Sequence, residues 1–166
     1  MDVYEINNLL AENSFNRLKR ICKSSYKKFP YVEEFGRYYT NDKEFKPLST
    51  YLDHLVPIAR ETFNSETLLP SYAIFAHYEG NQAALPKHKD NNACTYTIDL
   101  CLYQTTPWGL WIEGKEYMLD ENKAVAFYGE DQEHWREKFP NPVNNQVGQV
   151  FFHFVEPDHW FFNEKN

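Results

Sequence analysis

Three residues of this chain have the types and spacing to do chemistry together. His88 and Asp90 stand two apart in Leu85-Pro-Lys-His-Lys-Asp90, and His134 follows in Gly129-Glu-Asp-Gln-Glu-His-Trp-Arg136. Two imidazoles and one carboxylate on one side of an ion leave its opposite side open to small ligands, a donor set that suits a reactive iron(II) ion. On a strand, residues i and i+2 point to the same side with Cα atoms roughly 6–7 Å apart, so His88 and Asp90 can converge on one metal while Lys89 points away. His-x-Asp alone also describes an ordinary solvated pair, so the argument turns on the surrounding elements.

Those elements read as strands from about residue 68 onward. Ser71-Tyr-Ala-Ile-Phe-Ala-His-Tyr-Glu-Gly80 is an extended run, Cys94 to Tyr103 is a long strand, and Ile112-Glu-Gly-Lys-Glu116 is a hairpin turn. Ala124-Val-Ala-Phe-Tyr-Gly129 leads to His134, and Val147 to Val155 is a last apolar strand. Before residue 68 the pattern predicts two helices. One runs over about 2–28, interrupted near Asn13-Ser14, and the other over 49–64, where Leu52, Leu55, Val56 and Ala59 recur at helical spacing and Pro57 bends the helix if it lies inside. The expected division is helical support over 1–67, a catalytic β unit over 68–156 and a tail over 157–166, all within one domain.

The order of these features resembles the 2-oxoglutarate- and iron(II)-dependent dioxygenases, and most closely their prolyl-hydroxylase-like branch. The resemblance covers residues 68 to 156. It rests on Tyr78-Glu-Gly80, on the ten residues from Tyr78 to His88, on His88-Lys-Asp90, and on the distal His134 between a strand ending in Gly129 and the final strand. It implies a double-stranded β-helix, a jelly roll of the cupin-like kind, carrying N-terminal helices. It also implies His88, Asp90 and His134 as catalytic metal ligands, with Tyr78 against the cosubstrate. Fe(II), 2-oxoglutarate and O2 would be the cofactors, and the expected reaction is hydroxylation of a C–H bond with release of succinate and carbon dioxide.

One departure concerns the far carboxylate of 2-oxoglutarate. The family pattern places an Arg or Lys about ten residues after the distal His, and here that stretch reads Asn141-Pro-Val-Asn-Asn-Gln146. The basic residues after His134 are Arg136, Lys138 and Lys165. Arg136 shares a strand face with His134 and has a bidentate fork, so it is the expected anchor over Lys138. The alternatives are that Arg136 is a surface residue paired with Glu133 or Glu137, and that Gln149, opening the final strand after Gly148, bonds the cosubstrate instead. Among the other histidines, His54 and His159 read as surface or packed residues, His77 faces away from Tyr78, and His153 shares a face with Gln149 as a possible pocket wall.

Composition is compatible with this reading and narrows it. The chain has 166 residues, of which 17% are aromatic, enough for a core filled by large rings. Three cysteines, Cys22, Cys94 and Cys101, make a poor disulfide framework, and Cys94 and Cys101 would lie far apart along one strand. With no apolar run of membrane-spanning length and a polar start, a cytoplasmic protein is expected. The net charge is −7, and the acidic excess falls after residue 50, so polyanions are repelled at long range and nucleic acid is not an expected partner. The basic run from Arg17 to Lys28 is most simply the solvated face of a helix. The expected partner is a small molecule or a peptide. Competing readings are a cupin-type dioxygenase working without the keto acid, although its usual His-x-His and Glu are absent, and a non-catalytic β-helix binding module.

Overall fold

Alternation along two long strands sorts the side chains into two compartments. In the computed structural model, which describes residues 1–163, the final strand sends Val150, Phe152 and Phe154 into a core shared with the helices. Its Phe151 and His153 face a cavity on the other side. The period of two makes this partition automatic.

In chain order the elements are β1 (Tyr4–Ile6), α1 (Glu12–Ser25), β2 (Tyr31–Val32), β3 (Arg37–Asn41), α2 (Pro47–His54), α3 (Val56–Thr62), β4 (Leu69–Glu79) and β5 (Leu85–His88). There follow β6 (Tyr96–Gln104), β7 (Leu110–Ile112), β8 (Lys115–Tyr117), β9 (Ala124–Phe127), β10 (His134–Arg136), β11 (Gln146–Val155) and α4 (Trp160–Asn163). Seven strands form one sheet in the order β1-β9-β6-β11-β4-β3-β2, and four form a second in the order β5-β10-β7-β8. The pairs β4·β11, β5·β10, β6·β9 and β7·β8 are all antiparallel. They are nested first with last, which is the connectivity of a jelly roll.

The two sheets meet through Cys101, Val125 and Phe127 on one side and Leu110, Ile112 and Tyr117 on the other. The opposite face of the large sheet is covered by helices. In α1, Phe15, Leu18 and Cys22 recur at helical spacing and are buried, while Glu12 in the first turn and Lys23 in the last offset the helix dipole. Phe152, fully buried against this layer, contributes about 1.5–3 kcal/mol by leaving water.

Several expectations are refined. The Ile112–Glu116 turn is a hairpin between β7 and β8, with Glu113 at φ 49° and Gly114 at φ 82°, as a two-residue turn of primed type requires. The stretch before residue 68 holds not only helices but also β1, β2 and β3. Residues 4–6 pair with β9, and α1 starts only at Glu12, so Asn13 and Ser14 belong to its first turn and do not interrupt it. The second helix starts at Pro47 and is divided at Leu55, and Pro57 sits in the first turn of α3, where a missing N–H is harmless. Cys94 closes a 3-10 turn ahead of β6 and does not lie on the strand, and all three cysteines are free and buried. No helix is long and apolar enough to cross a membrane among the described residues. Lys165 lies outside the described residues.

Candidate metal centre

The site is assembled from the small sheet and one turn. β5 ends at His88, β10 begins at His134, and the two strands pair with these histidines directly opposite each other. Asp90 lies just past β5, where its amide donates to the carbonyl of Gly129 across 2.8 Å. Gly129 is required by close approach: a Cβ there would stand 2.5 Å from Asp90 Oδ2 and 2.6 Å from Thr97 Oγ1. The Gly129 that ends the β9 run is therefore what lets the carboxylate turn toward the histidines.

The three donor atoms converge. Asp90 Oδ1 is 3.2 Å from His88 Nε2 and 3.3 Å from His134 Nε2. Each imidazole is oriented from behind by a backbone carbonyl, His88 Nδ1 by Pro86 O at 2.7 Å and His134 Nδ1 by Gln132 O at 2.9 Å. A carbonyl only accepts, so each Nδ1 carries a proton and, in the neutral ring, each Nε2 turns a lone pair toward the carboxylate. Three electron-rich atoms facing one another call for a cation between them. Donors at roughly 2.0–2.2 Å from an ion and at right angles to one another stand about 3 Å apart, close to both observed spacings. The residues therefore fit a metal ion, and the backbone carbonyls supply the outer bonds that such ligands use.

Electrostatics agree with the geometry. Burial opposes the charge on Asp90, but with no ion between them the His134 and His88 rings, when protonated, donate to it and hold the carboxyl well below its ordinary range. Burial likewise acts to lower His88, but the bonds to Asp90 and to the Pro86 carbonyl outweigh it and the net shift is upward. His153, fully enclosed, is pushed down to about 4 by burial, with Asp90 pulling the other way.

Around the triad lies a cavity of about 180 Å³, walled by Arg37, Tyr39, Tyr72, Cys94, Phe151 and His153 among others. His153 is thus the pocket wall that its strand face implied, bonded to Thr97 Oγ1 at 3.0 Å. A second potential donor group, Asp90, Cys94 and His153, shares Asp90 with the first and belongs to the same cavity. His77 does face away from Tyr78: it stacks on Tyr26 at 3.6 Å under the helical layer.

The residues expected to contact 2-oxoglutarate fall in two places. Arg136 points between the sheets but does not line the cavity. Its Nη2 donates to Asp99 Oδ2 at 2.6 Å and its Nη1 to Trp108 O at 3.1 Å, and it pairs with neither Glu133 nor Glu137. Gln149 belongs to the same buried group: with its amide turned so that nitrogen meets acceptors, it donates to Asp99 Oδ1 and Leu100 O, both at 2.9 Å. The fork that was to receive a ligand carboxylate is occupied by a protein carboxylate. Tyr78, by contrast, is fully buried with its hydroxyl accepting from Arg37 Nη1 at 2.9 Å.

Arg37 was missed by sequence reasoning because the stretch between the two expected helices, residues 29–48, was assigned no element. The available signal was Gly36-Arg-Tyr-Tyr-Thr40, a β-rich run after a turn glycine. Gly36 sits at φ 59°, and a Cβ there would collide with the backbone of Gln82 and Ala83, so only glycine lets β3 start where Arg37 pairs with Tyr78.

No family model and no curated protein matches the sequence. Solved structures do match the fold. The alpha-ketoglutarate-dependent epimerase SnoN of nogalamycin biosynthesis superposes with a TM-score of 0.75 at 9% identity, covering 93% of this chain and 77% of that one. A Pseudomonas putida prolyl-4-hydroxylase gives 0.65 at 14% identity, covering 93% and 92%. The Trichoplax adhaerens prolyl hydroxylase, solved with a hypoxia-inducible-factor peptide, gives 0.67 at 15% identity, covering 92% and 83%. The jelly roll of this chain, with His88, Asp90 and His134 converging at its mouth, has the fold of the 2-oxoglutarate- and iron(II)-dependent oxygenases, prolyl hydroxylases included.

Proposed function

We propose that this chain is an iron(II)- and 2-oxoglutarate-dependent oxygenase that hydroxylates a C–H bond of a peptide prolyl residue, an amino acid or a small metabolite, releasing succinate and carbon dioxide. The observation that carries the reading is the convergence of His88 Nε2, Asp90 Oδ1 and His134 Nε2 with both imidazoles aimed from behind by backbone carbonyls. A facial set of this composition suits iron(II) and leaves positions open for a chelating acid and for dioxygen. The likeness to structures solved with a hypoxia-inducible-factor peptide and with nogalamycin RO supports the class and leaves both peptide and small-molecule substrates in view.

His88, Asp90 and His134 would hold the ion, which when bound supplies the oxidising chemistry. The protein's own part is placement and exclusion of water. Pro86 and Gln132 keep the two imidazoles from rotating, and the Asp90 carboxylate remains ionised at neutral pH, so the site is preorganised for a divalent cation. Phe151 and Ile74 give the cavity apolar wall beside the polar donors.

The test is anaerobic addition of iron(II) and then 2-oxoglutarate to purified protein, followed by the weak visible charge-transfer band of the chelate and by succinate release. Folded protein that binds iron but shows neither band nor succinate at saturating 2-oxoglutarate would leave the cupin-type alternative in possession of the site.

A further inference from the structure

We infer that Arg37, oriented by the Tyr78 hydroxyl, is the carboxylate-binding group of the cavity, and that the ligand it holds is a small dicarboxylic acid. Arg37 is the one permanently cationic residue among the described residues lining the cavity. Asp90 is the one carboxylate there, and its Oδ1 is turned to the two histidines. Arg37 makes no ion pair among the described residues, and its Nε is buried without a hydrogen-bond partner. The Arg136 Nε is orphaned in the same way, but its guanidinium is neutralised by Asp99; an unneutralised guanidinium on a cavity wall is costly unless an anion completes it.

The neighbours hold the guanidinium in place without neutralising it. Its carbon lies 5.0 Å from the Phe35 ring, 4.8 Å from the Tyr39 ring and 5.7 Å from the Tyr78 ring. These contacts fix the plane and attract the charge, yet none offers an oxygen anion. The Tyr78 hydroxyl, fully buried behind the cavity wall, accepts from Nη1 at 2.9 Å and so orients the fork without spending its charge. Arg136 and Gln149 are committed to Asp99, which leaves Arg37 as the basic group open to the cavity. The volume, about 180 Å³, is several times the roughly 30 Å³ share of one water and suits a small acid.

The inference rests on the oxygenase reading only for the identity of the acid. Calorimetric titration of the Mn(II)-loaded protein, which needs no turnover, reads it directly with three probes: 2-oxoglutarate, 2-oxobutyrate, which has the same chelating head without the far carboxylate, and succinate. Arg37→Met should weaken 2-oxoglutarate about ten- to a hundredfold and leave 2-oxobutyrate unchanged, and Arg37→Lys should recover part of the loss. If 2-oxoglutarate is unaffected but succinate added to the protein already loaded with 2-oxobutyrate loses affinity in Arg37→Met, the carboxylate belongs to the substrate and the site stands. If no acid depends on Arg37 in variants whose melting shows them folded, or if 2-oxobutyrate falls as far as 2-oxoglutarate, the inference is overturned. Should wild-type protein bind no Mn(II), the oxygenase reading fails, while succinate titrated into metal-free wild type and Arg37→Met still decides the carboxylate site.

Discussion

Arg136 and Asp99 face each other across 2.6 Å with neither side chain reaching solvent. They lie on different sheets, Asp99 on β6 and Arg136 on β10, so the pair is a polar bolt through the space between the layers. Burial holds the Asp99 carboxyl above its ordinary value, against the downward pull of Arg136. A pair so enclosed contributes little net energy compared with an apolar replacement, yet removing one partner strands a charge.

Arg136→Met should therefore act on stability. We expect a loss of roughly 3–5 kcal/mol in urea unfolding, with Asp99→Leu similarly damaging and the double variant much less destabilised than the sum of the two. Additive losses would show that the two groups are not coupled. This outcome differs from the one expected of a cosubstrate anchor, in which the Arg136 variant keeps its stability and loses only affinity for 2-oxoglutarate.

Metal removal should lower the melting temperature, because an ion bound only to the folded state stabilises it by mass action, by about 2.7 kcal/mol at a hundredfold excess over its dissociation constant. Chelator should abolish the difference between loaded and unloaded wild type. In His88→Ala, Asp90→Ala and His134→Ala the metal-dependent shift should disappear, and far-UV circular dichroism should stay that of the wild type. A ligand variant that still gains stability from Mn(II) at wild-type concentrations is not a ligand variant.

Gly129→Ala places a methyl group 2.5 Å from Asp90 Oδ2, 2.6 Å from Thr97 Oγ1 and 2.7 Å from the Cys94 carbonyl, which as backbone yields least. Asp90 carries the movable side chain, so the carboxylate should swing off the two imidazoles. The expected result is metal affinity lowered by at least about tenfold, equivalent to ~1.4 kcal/mol, in a protein that still folds. Unchanged Mn(II) affinity would mean that the Asp90–Gly129 contact does not set the carboxylate.

Glu156 accepts from Thr67 at 2.6 Å, Ser65 at 2.8 Å and Tyr96 at 3.2 Å, tying the end of β11 to β6 and to the turn before β4. The hydroxyl of Thr67 leads the causes that lower its folded-state pKa, burial opposes them, and Ser65 and Tyr96 add to the lowering. A depressed carboxyl stabilises the fold above its unfolded pKa and loses that contribution as pH falls through the folded one. Glu156→Gln should remove this part of the acid limb: stability near neutrality drops slightly, and the gap from wild type closes as the pH falls below about 4. The check is urea unfolding at a series of pH values, and a gap that widens toward acid would reverse the assignment.

Local pattern, residue chemistry and the family resemblance together made the donor set legible in the sequence. A period of two and the chemistry of imidazole and carboxylate put His88 and Asp90 on one side of a strand, and the family resemblance, carried by the order of the strands, added His134. The long strands were legible from their period of two, and so was the Glu113-Gly114 hairpin, whose glycine takes a φ of 82° without strain. What only tertiary structure decided is where each arginine spends its charge. Strand parity placed Arg136 on the same side as His134, but parity says nothing about what waits across the gap, and there Asp99 takes the guanidinium. Arg37 lies 51 residues before His88 in the chain and reaches the cavity because β3 pairs with β4 in a register set by Gly36. A short strand carries too few residues for its period to show, and its pairing is a long-range contact chosen by the packing of the whole sheet, so the partner of an isolated cation cannot be read along the chain.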